Sequence, residues 1–293
     1  MADPAHWPKI SLVTAVFNSA KYLEETIRSV LSQHYRNLEY VIIDGGSTDG
    51  TLDIIRKYES QLSYWVSEPD RGMYDALNKG FARTTGDVMG WINASDALHV
   101  GGLRIVGSVF AQFPEVEWIT GRPTILNAEG MTVAVLSLKR WSRFRFLAGA
   151  NRYIQQESTM WRRSLWERSG GRIDDSWGIP SDFGLWVQFF RYAPLYSVDA
   201  LIGGYRLHDD AQGWQDLEAS HRIHDRIIET ELNSLTGHAR LRKFRALSAA
   251  IQRNPALAKR WRKLVQGALL KCPGSDLMPV IRSRKNTWIQ SPR

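Results

Sequence analysis

Residues 86–96 read Gly-Asp-Val-Met-Gly-Trp-Ile-Asn-Ala-Ser-Asp, and this stretch decides how the rest of the chain is interpreted. An apolar run of strand length ends in a short polar cluster that a carboxylate, Asp96, closes. Ligands of open α/β sheets bind at the carboxyl ends of the strands, so a cluster placed there is a candidate site. Taken alone, the same residues also fit a buried strand followed by an ordinary polar turn. The segments that precede it favour the first interpretation.

Three earlier segments have the same form, with an apolar run, a polar link and then apolar residues at helical spacing. Residues 10–17, 40–43 and 63–66 are the predicted strands. Such alternation with short links predicts a mainly parallel α/β sheet with helices on both faces. The first strand is followed by Phe17-Asn18-Ser19-Ala20 rather than by closely spaced glycines, and the chain has no Walker-type loop. The pattern therefore excludes the usual dinucleotide and P-loop sites.

Composition and charge limit the function classes. The 293 residues are 43% hydrophobic and 23% charged, as in an ordinary globular protein with one large domain or one domain and an appendage. Cys272 is the only cysteine, which excludes an internal disulfide and a cysteine-cluster metal site and fits a reducing compartment. Residues 1–7 do not read as an export signal, so we expect a cytoplasmic protein. Residues 236–293 carry a net charge of +13 against +8 for the whole chain, leaving −5 on residues 1–235.

Four segments in the first half resemble the motifs of the family 2 glycosyltransferases, which have the GT-A fold. They are Val16-Phe17-Asn18, residues 42–51 (Ile-Ile-Asp-Gly-Gly-Ser-Thr-Asp-Gly-Thr), residues 67–80 (Ser-Glu-Pro-Asp-Arg-Gly-Met-Tyr-Asp-Ala-Leu-Asn-Lys-Gly) and residues 86–96. Thinner matches follow at residues 155–171, 182–186 and 203–208. The resemblance implies a GT-A domain over residues 8–210, with a nucleotide-binding half (8–100) and an acceptor half (101–210). Residues 211–293 match nothing in that family, and we expect a basic helical extension there.

The resemblance implies a donor site for a nucleotide-diphosphate sugar, with a UDP-sugar favoured. Asp44 would accept a hydrogen bond from the base, although it also fits the start of the glycine-rich turn. Arg71 and Lys79 would offset the diphosphate charge, although both also fit ordinary surface positions. The full set of expected donor residues is Phe17, Asn18, Asp44, Asp70, Arg71, Lys79, Asn93, Ser95, Asp96 and Arg206.

Metal binding is where the sequence departs from the family pattern. The family usually has an Asp-x-Asp motif whose second acid holds a divalent cation, and Ser95 stands at that position here. A single carboxylate can still bind Mn²⁺ or Mg²⁺ when phosphates and waters complete the octahedron. Asp96 and, as the resemblance implies from its position, His208 are the expected metal ligands, and a site that works without metal is the alternative.

Asp182 is the expected catalytic residue, because the resemblance places the general base of the family there. The alternative is that Asp182 only favours the start of the following helix through the helix dipole. Gln156, Glu157 and Trp161 are expected to line the acceptor or sugar pocket, although Gln156 and Glu157 also fit simple alternation along a strand. The implied reaction is sugar transfer to an acceptor hydroxyl with inversion at the anomeric carbon, of the kind that builds bacterial polysaccharides.

Two other functions and one partner stay open at this point. One is a protein that kept the fold but lost turnover, which Ser95 makes conceivable. The other is a basic nucleic-acid-binding protein, suggested by the tail, although no nucleic-acid partner is expected because the tail lacks a recognisable motif. The acceptor is expected to be a saccharide or a lipid-linked saccharide. The charge of the tail, with apolar residues at helical spacing (Leu241, Phe244, Leu247 and Ile251), suggests either a helix packed on the catalytic body or attachment to an anionic membrane.

Overall fold

The computed structural model describes residues 6–149, 152–208, 217–234, 242, 277–284 and 287–291. Its first half alternates strands and helices as predicted, because each strand is apolar throughout and each helix is apolar along one face. The elements are β1 (Ile10–Val16), α1 (Ala20–Leu31), β2 (Leu38–Asp44), α2 (Thr51–Tyr58), β3 (Tyr64–Ser67), α3 (Met73–Phe81), β4 (Val88–Trp91), β5 (Ala97–Leu98) and α4 (Gly102–Gln112).

The second half is more irregular and mixes short strands with short helices. It contains β6 (Trp118–Thr120), β7 (Thr124–Leu126), β8 (Thr132–Val135), α5 (Arg143–Leu147), β9 (Thr159–Arg162), α6 (Arg163–Arg168), α7 (Ser181–Tyr192), β10 (Tyr196–Val198), β11 (Gly203–Arg206), α8 (Leu217–Ser234), β12 (Val280–Arg284) and β13 (Thr287–Ser291). Single 3₁₀ turns lie at Glu59–Gln61, Gln156–Ser158 and Asp175–Trp177. Among the described helices, none is both long and apolar enough to cross a bilayer.

The main sheet has nine strands in the order β13-β12-β10-β6-β9-β4-β1-β2-β3. All of them run in one direction except β9 and β13, whose pairings are antiparallel. A second sheet has the order β5-β11-β7-β8 and lies next to the 93–96 turn, since β5 begins directly after it. The α/β prediction with a mainly parallel sheet is confirmed.

The core lies in two apolar clusters, one on each face of the main sheet. Four fully buried tryptophans, Trp91, Trp118, Trp161 and Trp186, form the centre of one cluster. Trp186 stacks on Trp91 and on Trp118 with ring centroids 5.7 and 5.8 Å apart. The high tryptophan content therefore serves packing to a large extent.

The C-terminal extension differs from the expected helix over residues 211–293. Residues 217–234 form helix α8 as expected. Strand β12, however, pairs with β10, and β13 pairs with β12, so both extend the main sheet. Strands form here because Val280 and Ile281 are β-branched and buried, and Trp288 packs inward with its Nε1 donating to Ser108 Oγ at 2.8 Å. The expected stripe of Leu241, Phe244, Leu247 and Ile251 lies outside the described residues.

Candidate active site

The loops that follow β1, β2, β3 and β4 lie at one edge of the main sheet. The parallel registers align Val16 with Asp44 and Asp44 with Ser67, so the residues that follow these positions are neighbours. This topology brings together the expected donor residues of the loops after β1, β2 and β3, namely Phe17, Asn18, Asp44, Asp70 and Arg71. The carboxyl edge of parallel strands is where ligands of open α/β sheets bind.

Asp44 is fully buried at the end of β2 and accepts hydrogen bonds from the turn that follows it. Its carboxylate accepts hydrogen bonds from Gly46 N and Ser47 N, both at 3.0 Å, and from Ser67 Oγ at 2.6 Å. Ser47 Oγ is a fourth donor. This geometry supports the alternative interpretation, in which Asp44 organises the glycine-rich turn, rather than the expected contact with a base.

Phe17 and Asn18 occupy the loop after β1 but have different environments. The Phe17 side chain is 62% exposed at the end of the strand. Asn18 adopts a left-handed backbone conformation and joins the loop to the β2 turn, because its Oδ1 accepts from Thr48 N at 2.9 Å and its N donates to Ser47 Oγ at 2.7 Å. Phe17 is thus available to a ligand, whereas Asn18 fixes the shape of the edge.

Arg71 and Lys79 are held by carboxylates of the chain itself. Arg71 Nη2 lies 2.7 Å from Asp75 Oδ1 and 3.2 Å from Asp175 Oδ2, which ties the loop after β3 to the turn before α7. Lys79 Nζ lies 2.8 Å from Glu68 Oε1, and this pairing raises the pKa of the lysine. These ion pairs compete with a role of either cation in neutralising a diphosphate.

Buried polar groups hold the 93–96 turn in place. Asp96 is fully buried, and its two oxygens accept from Asn93 Nδ2 and from Arg206 N, both at 2.9 Å. Burial raises the pKa of Asp96 to about 7. Thr26 Oγ1 donates to the carbonyls of Ala94 and Asp96 at 2.9 and 2.7 Å.

Arg206 was expected at the donor, and the structure places it in the interior. Its side chain is fully buried, with Nε donating to Ser95 O at 2.5 Å, Nη1 donating to Ala128 O at 3.0 Å, and Nη2 lying 2.8 Å from Glu25 Oε2. The guanidinium also lies 5.1 Å from the centre of the Tyr22 ring. Arg206 therefore fixes the backbone of the turn instead of presenting a charge at its surface.

The expected metal ligands, Asp96 and His208, do not form a preassembled site. Both oxygens of Asp96 already accept hydrogen bonds, and the His208 ring packs against Tyr22 with centroids 4.9 Å apart. In the described part of the chain, no group of three or more His, Cys, Asp or Glu side chains is arranged to hold a metal ion. These residues do not fit a resident divalent cation, because hard cations need several free oxygen ligands.

Asp182 lies in the first turn of α7 and is half-buried. Its Oδ1 accepts from Phe183 N at 2.7 Å, and its backbone N lies 3.4 Å from Tyr74 Oη. Tyr74 Oη also donates to Ile179 O, so the buried tyrosine fastens the loop before α7 to α3. Burial raises the pKa of Asp182 to about 6, and the hydrogen bonds only partly oppose this rise. Tyr74 lies in the motif of residues 67–80, but no local spacing relates it to residue 182, so this contact does not follow from the sequence.

Glu157 and Gln156 form the 3₁₀ turn before β9 and are both buried. Gln156 Nε2 donates to Trp91 O, and Glu157 accepts from Gln155 Nε2. Burial raises the pKa of Glu157 well above its usual value, and the charges of Asp96 and Asp182 raise it further. The charges of both other acids thus act on Glu157, and we call Asp96, Glu157 and Asp182 the carboxyl cluster. Trp161 was expected beside them in a pocket, but it is 0% exposed and packs in the core.

Comparisons with known proteins agree with this architecture. The model of the family described as glycosyl transferase family 2 matches residues 11–106. An uncharacterized glycosyltransferase of Mycobacterium tuberculosis is 31% identical over 183 residues, which cover 60% of this chain and 66% of the relative. An uncharacterized glycosyltransferase of Rickettsia typhi is 24% identical over 214 residues, covering 71% of this chain and 67% of the relative. The match thus spans about two thirds of the length of these relatives.

Solved structures with the same fold have lower sequence identity. TarS residues 1–349 of S. aureus in complex with UDP-GlcNAc aligns with a TM-score of 0.62 and 15% identity, covering 78% of this chain and 68% of that chain. The mannosyltransferase PcManGT of Pyrobaculum calidifontis in complex with GDP-Man and Mn²⁺ aligns with a TM-score of 0.54 and 18% identity, covering 93% of this chain and 83% of that chain. With the motifs and the sheet order, these matches lead to one conclusion: the chain belongs to glycosyltransferase family 2 and has the GT-A fold.

Proposed function

We propose that the protein transfers a sugar from a nucleotide-diphosphate sugar to an acceptor hydroxyl with inversion, with Asp182 as the general base. The observation that carries the proposal is the position of Asp182, half-buried at the start of α7 with its pKa raised to about 6. A base with this pKa is largely ionised at pH 7 and still binds a proton well, which is the compromise that proton transfer requires.

The chemistry follows from one displacement. The acceptor oxygen attacks the anomeric carbon on the face opposite the nucleoside diphosphate, and Asp182 takes the hydroxyl proton as the new C–O bond forms. The bond to the diphosphate oxygen breaks in the same step, so no covalent sugar–enzyme species is needed. Glu157 and Asp96, whose pKa values are raised, reduce the negative charge beside the reacting centre when they are protonated.

The donor is proposed to bind along the edge formed by the loops after β1, β2, β3 and β4. The structural neighbours in complex with UDP-GlcNAc and with GDP-Man support a nucleotide-sugar donor, and a UDP-sugar is favoured. Helices α1 and α3 begin at this edge because each follows a strand that ends there. Their N-terminal N–H groups and dipoles are suited to the diphosphate.

Metal use is proposed to be weak. The Mn²⁺ complex of PcManGT supports a divalent cation in this fold, but Ser95 and the occupied oxygens of Asp96 do not provide a resident site here. A cation would arrive with the donor phosphates. No step of the proposed reaction depends on it.

The proposed acceptor and the proposed location rest on the positive charge of residues 236–293. Fourteen Lys or Arg residues in 236–293 would attract the protein to the inner face of an anionic membrane, where lipid-linked saccharides of bacterial polysaccharide synthesis are found. Co-sedimentation of the full chain with anionic vesicles at low salt, lost on replacing Lys259, Arg260, Arg262 and Lys263 by alanine, tests this. Equal sedimentation with neutral vesicles would contradict it.

The test of the proposed reaction compares two chemically identical substitutions in one segment. Asp182→Asn should leave donor binding intact and reduce release of nucleoside diphosphate from a responsive sugar donor by about 10²-fold or more, the scale of a positioned base. Asp174→Asn is the control, because among the residues that the structure describes the Asp174 carboxylate accepts only from Ser176 N, in the turn before α7. Equal activity of the two variants would refute the role of Asp182.

A second function is supported by specific contacts, namely a nucleotide-sugar-binding protein without turnover. Ser95 replaces the expected acid, and both Arg71 and Lys79 are engaged in ion pairs. Binding of UDP- or GDP-sugars by calorimetry without release of nucleoside diphosphate, over a panel of acceptors, would favour this alternative.

A further inference from the structure

The loop that leads into α7 is held at both ends by one face of α3. Asn78 lies one helical turn after Tyr74, so both side chains project from the same face. Asn78 Nδ2 donates to Ile173 O at 2.9 Å and Asn78 Oδ1 accepts from Ile173 N at 2.8 Å, which fixes the start of the loop. Tyr74 Oη donates to Ile179 O and lies 3.4 Å from Asp182 N, which fixes its end.

Tyr74 takes the place of a cap that the sequence of α7 does not provide. The first N–H groups of a helix have no acceptor within the helix, and a polar side chain at the N-cap position commonly accepts from one of them. Pro180 occupies that position here, and its side chain has no hydrogen-bonding atom. The Tyr74 hydroxyl faces the N–H of Asp182 from α3 instead. One hydroxyl is therefore bonded on both sides of the turn that presents Asp182.

The same hydroxyl also acts on the charge of Asp182. Burial raises the pKa of Asp182 to about 6, and the Tyr74 hydroxyl is among the groups that lower it. Burial also raises the pKa of Tyr74 well above its usual value, and the charge of Asp182 raises it further, so the hydroxyl keeps its proton near neutral pH. A neutral hydroxyl beside a carboxylate favours the ionised form of the acid.

The other charged groups around Asp182 come from three different elements. Burial raises the pKa of Glu157, in the turn before β9, well above its usual value, and the charge of Asp182 raises it further. His224 of α8 stacks on the ring that follows Asp182 in the chain, and burial lowers the pKa of this histidine to about 4. Arg71 and Asp175 pair with each other at 3.2 Å. Removal of the tyrosine hydroxyl alters none of these groups, so a changed titration of Asp182 would report on the hydroxyl.

We propose that Tyr74 is the positioning residue of the general base, and that its hydroxyl holds Asp182 in the place from which it accepts the acceptor proton. This rests on the proposed function, in which Asp182 is the base. Proton transfer requires the two heavy atoms to lie within hydrogen-bond reach, so a small displacement of the carboxyl lowers turnover without weakening donor binding. Because α3 begins at the proposed donor edge, one helix aligns the donor and the base.

The test compares Tyr74→Phe with Tyr35→Phe, since each removes one hydroxyl from a buried ring. Tyr35 is the matched control, because its Oη also donates to a backbone carbonyl, that of Pro8 at 2.7 Å, near the starts of β1 and β2. Release of nucleoside diphosphate is measured as a function of pH. Tyr74→Phe should lower kcat at least about 5-fold, keep the donor KM within about 2-fold and move the acid limb to higher pH. Tyr35→Phe should keep the kcat and the acid limb of the wild-type protein.

Melting temperatures establish that the variants are folded at the assay temperature. A wild-type kcat and an unshifted acid limb in Tyr74→Phe, with the limb lost in Asp182→Asn, would overturn this inference and leave the base in place. An equal loss of kcat in both tyrosine variants without a shift of the limb would also overturn it, because the hydroxyl would then be merely structural. An acid limb that survives in Asp182→Asn would overturn the proposed function together with this inference.

Discussion

The turn after β2 and the carboxyl cluster both contain buried acids, but the two regions treat them differently. Asp44 receives four hydrogen bonds from groups within two neighbouring loops. In the carboxyl cluster, by contrast, burial raises the pKa of Asp182 to about 6, of Asp96 to about 7, and of Glu157 well above its usual value. Asp44 thus stabilises its own loop, whereas the raised pKa values in the carboxyl cluster keep proton transfer available near neutral pH.

The largest expected effect on stability is at Arg206, which supports the backbone of the 93–96 turn. Arg206→Ala should lower the free energy of unfolding by about 3–5 kcal/mol, because it removes a fully buried side chain and leaves the carbonyls of Ser95 and Ala128 and the Tyr22 ring without their partner. Chemical denaturation measures this. Arg56→Ala, which removes an exposed ion pair with Asp53, should change stability by less than about 0.5 kcal/mol. A loss below about 1 kcal/mol for Arg206→Ala would show that the turn does not depend on it.

A substitution at Asp44 tests the first half of the comparison. Asp44→Ala should destabilise the protein by about 2–4 kcal/mol, since buried N–H and hydroxyl donors of Gly46, Ser47 and Ser67 lose their acceptor. Thermal and denaturant unfolding give the value. A stable variant whose only defect is weaker nucleotide binding would instead assign Asp44 to the base.

A substitution at Asp182 is expected to stabilise the protein, in contrast to Asp44→Ala. Its folded-state pKa of about 6 exceeds the ordinary value near 3.9, so its favourable contribution is complete below about pH 4 and is lost as the pH rises through 6. Asp182→Asn should therefore gain about 1–3 kcal/mol relative to the wild-type protein between pH 4 and pH 8. Unfolding curves at the two pH values measure the difference, and an equal or falling difference would contradict the raised pKa.

The smallest expected effect concerns metal. Because the described residues provide no group of three metal-ligating side chains, Mn²⁺ should not remain on the free protein after dialysis. In the presence of a nucleoside diphosphate, Mn²⁺ should strengthen binding by less than about 10-fold. Metal analysis after dialysis and paired titrations with and without EDTA decide this, and a stoichiometric resident ion would contradict it.

The sequence predicted the strands and helices of the first half because local apolar periodicity determines them. Tyr22, Leu23, Ile27 and Val30 of α1 are all buried, as their helical spacing requires. It did not predict that Arg206 and Trp161 are interior, because both depend on strands that are distant in sequence. The interior position of Arg206 is set by the pairing of β11 with β7 and β5, and a buried arginine has no local sequence pattern.

The C-terminal strands were missed for a related reason. Five-residue strands such as β12 carry little periodicity, and the Arg and Lys residues around them favoured a basic helix. What fixes them is the open edge of β10, with which β12 pairs. Ser95 is the position where the sequence departs from the Asp-x-Asp pattern of the family, and weak metal binding there stays a prediction.

The central claim, that Asp182 is the base of a sugar transferase, is tested most directly by the pH dependence of kcat/KM for release of nucleoside diphosphate. The wild-type protein should lose activity below an apparent pKa of about 6, because only the ionised Asp182 accepts the proton. In Asp182→Asn the residual activity should be at least about 10²-fold lower and should show no such limb, whereas Asp174→Asn should keep it. An unchanged acid limb and near-normal turnover in Asp182→Asn would contradict the account.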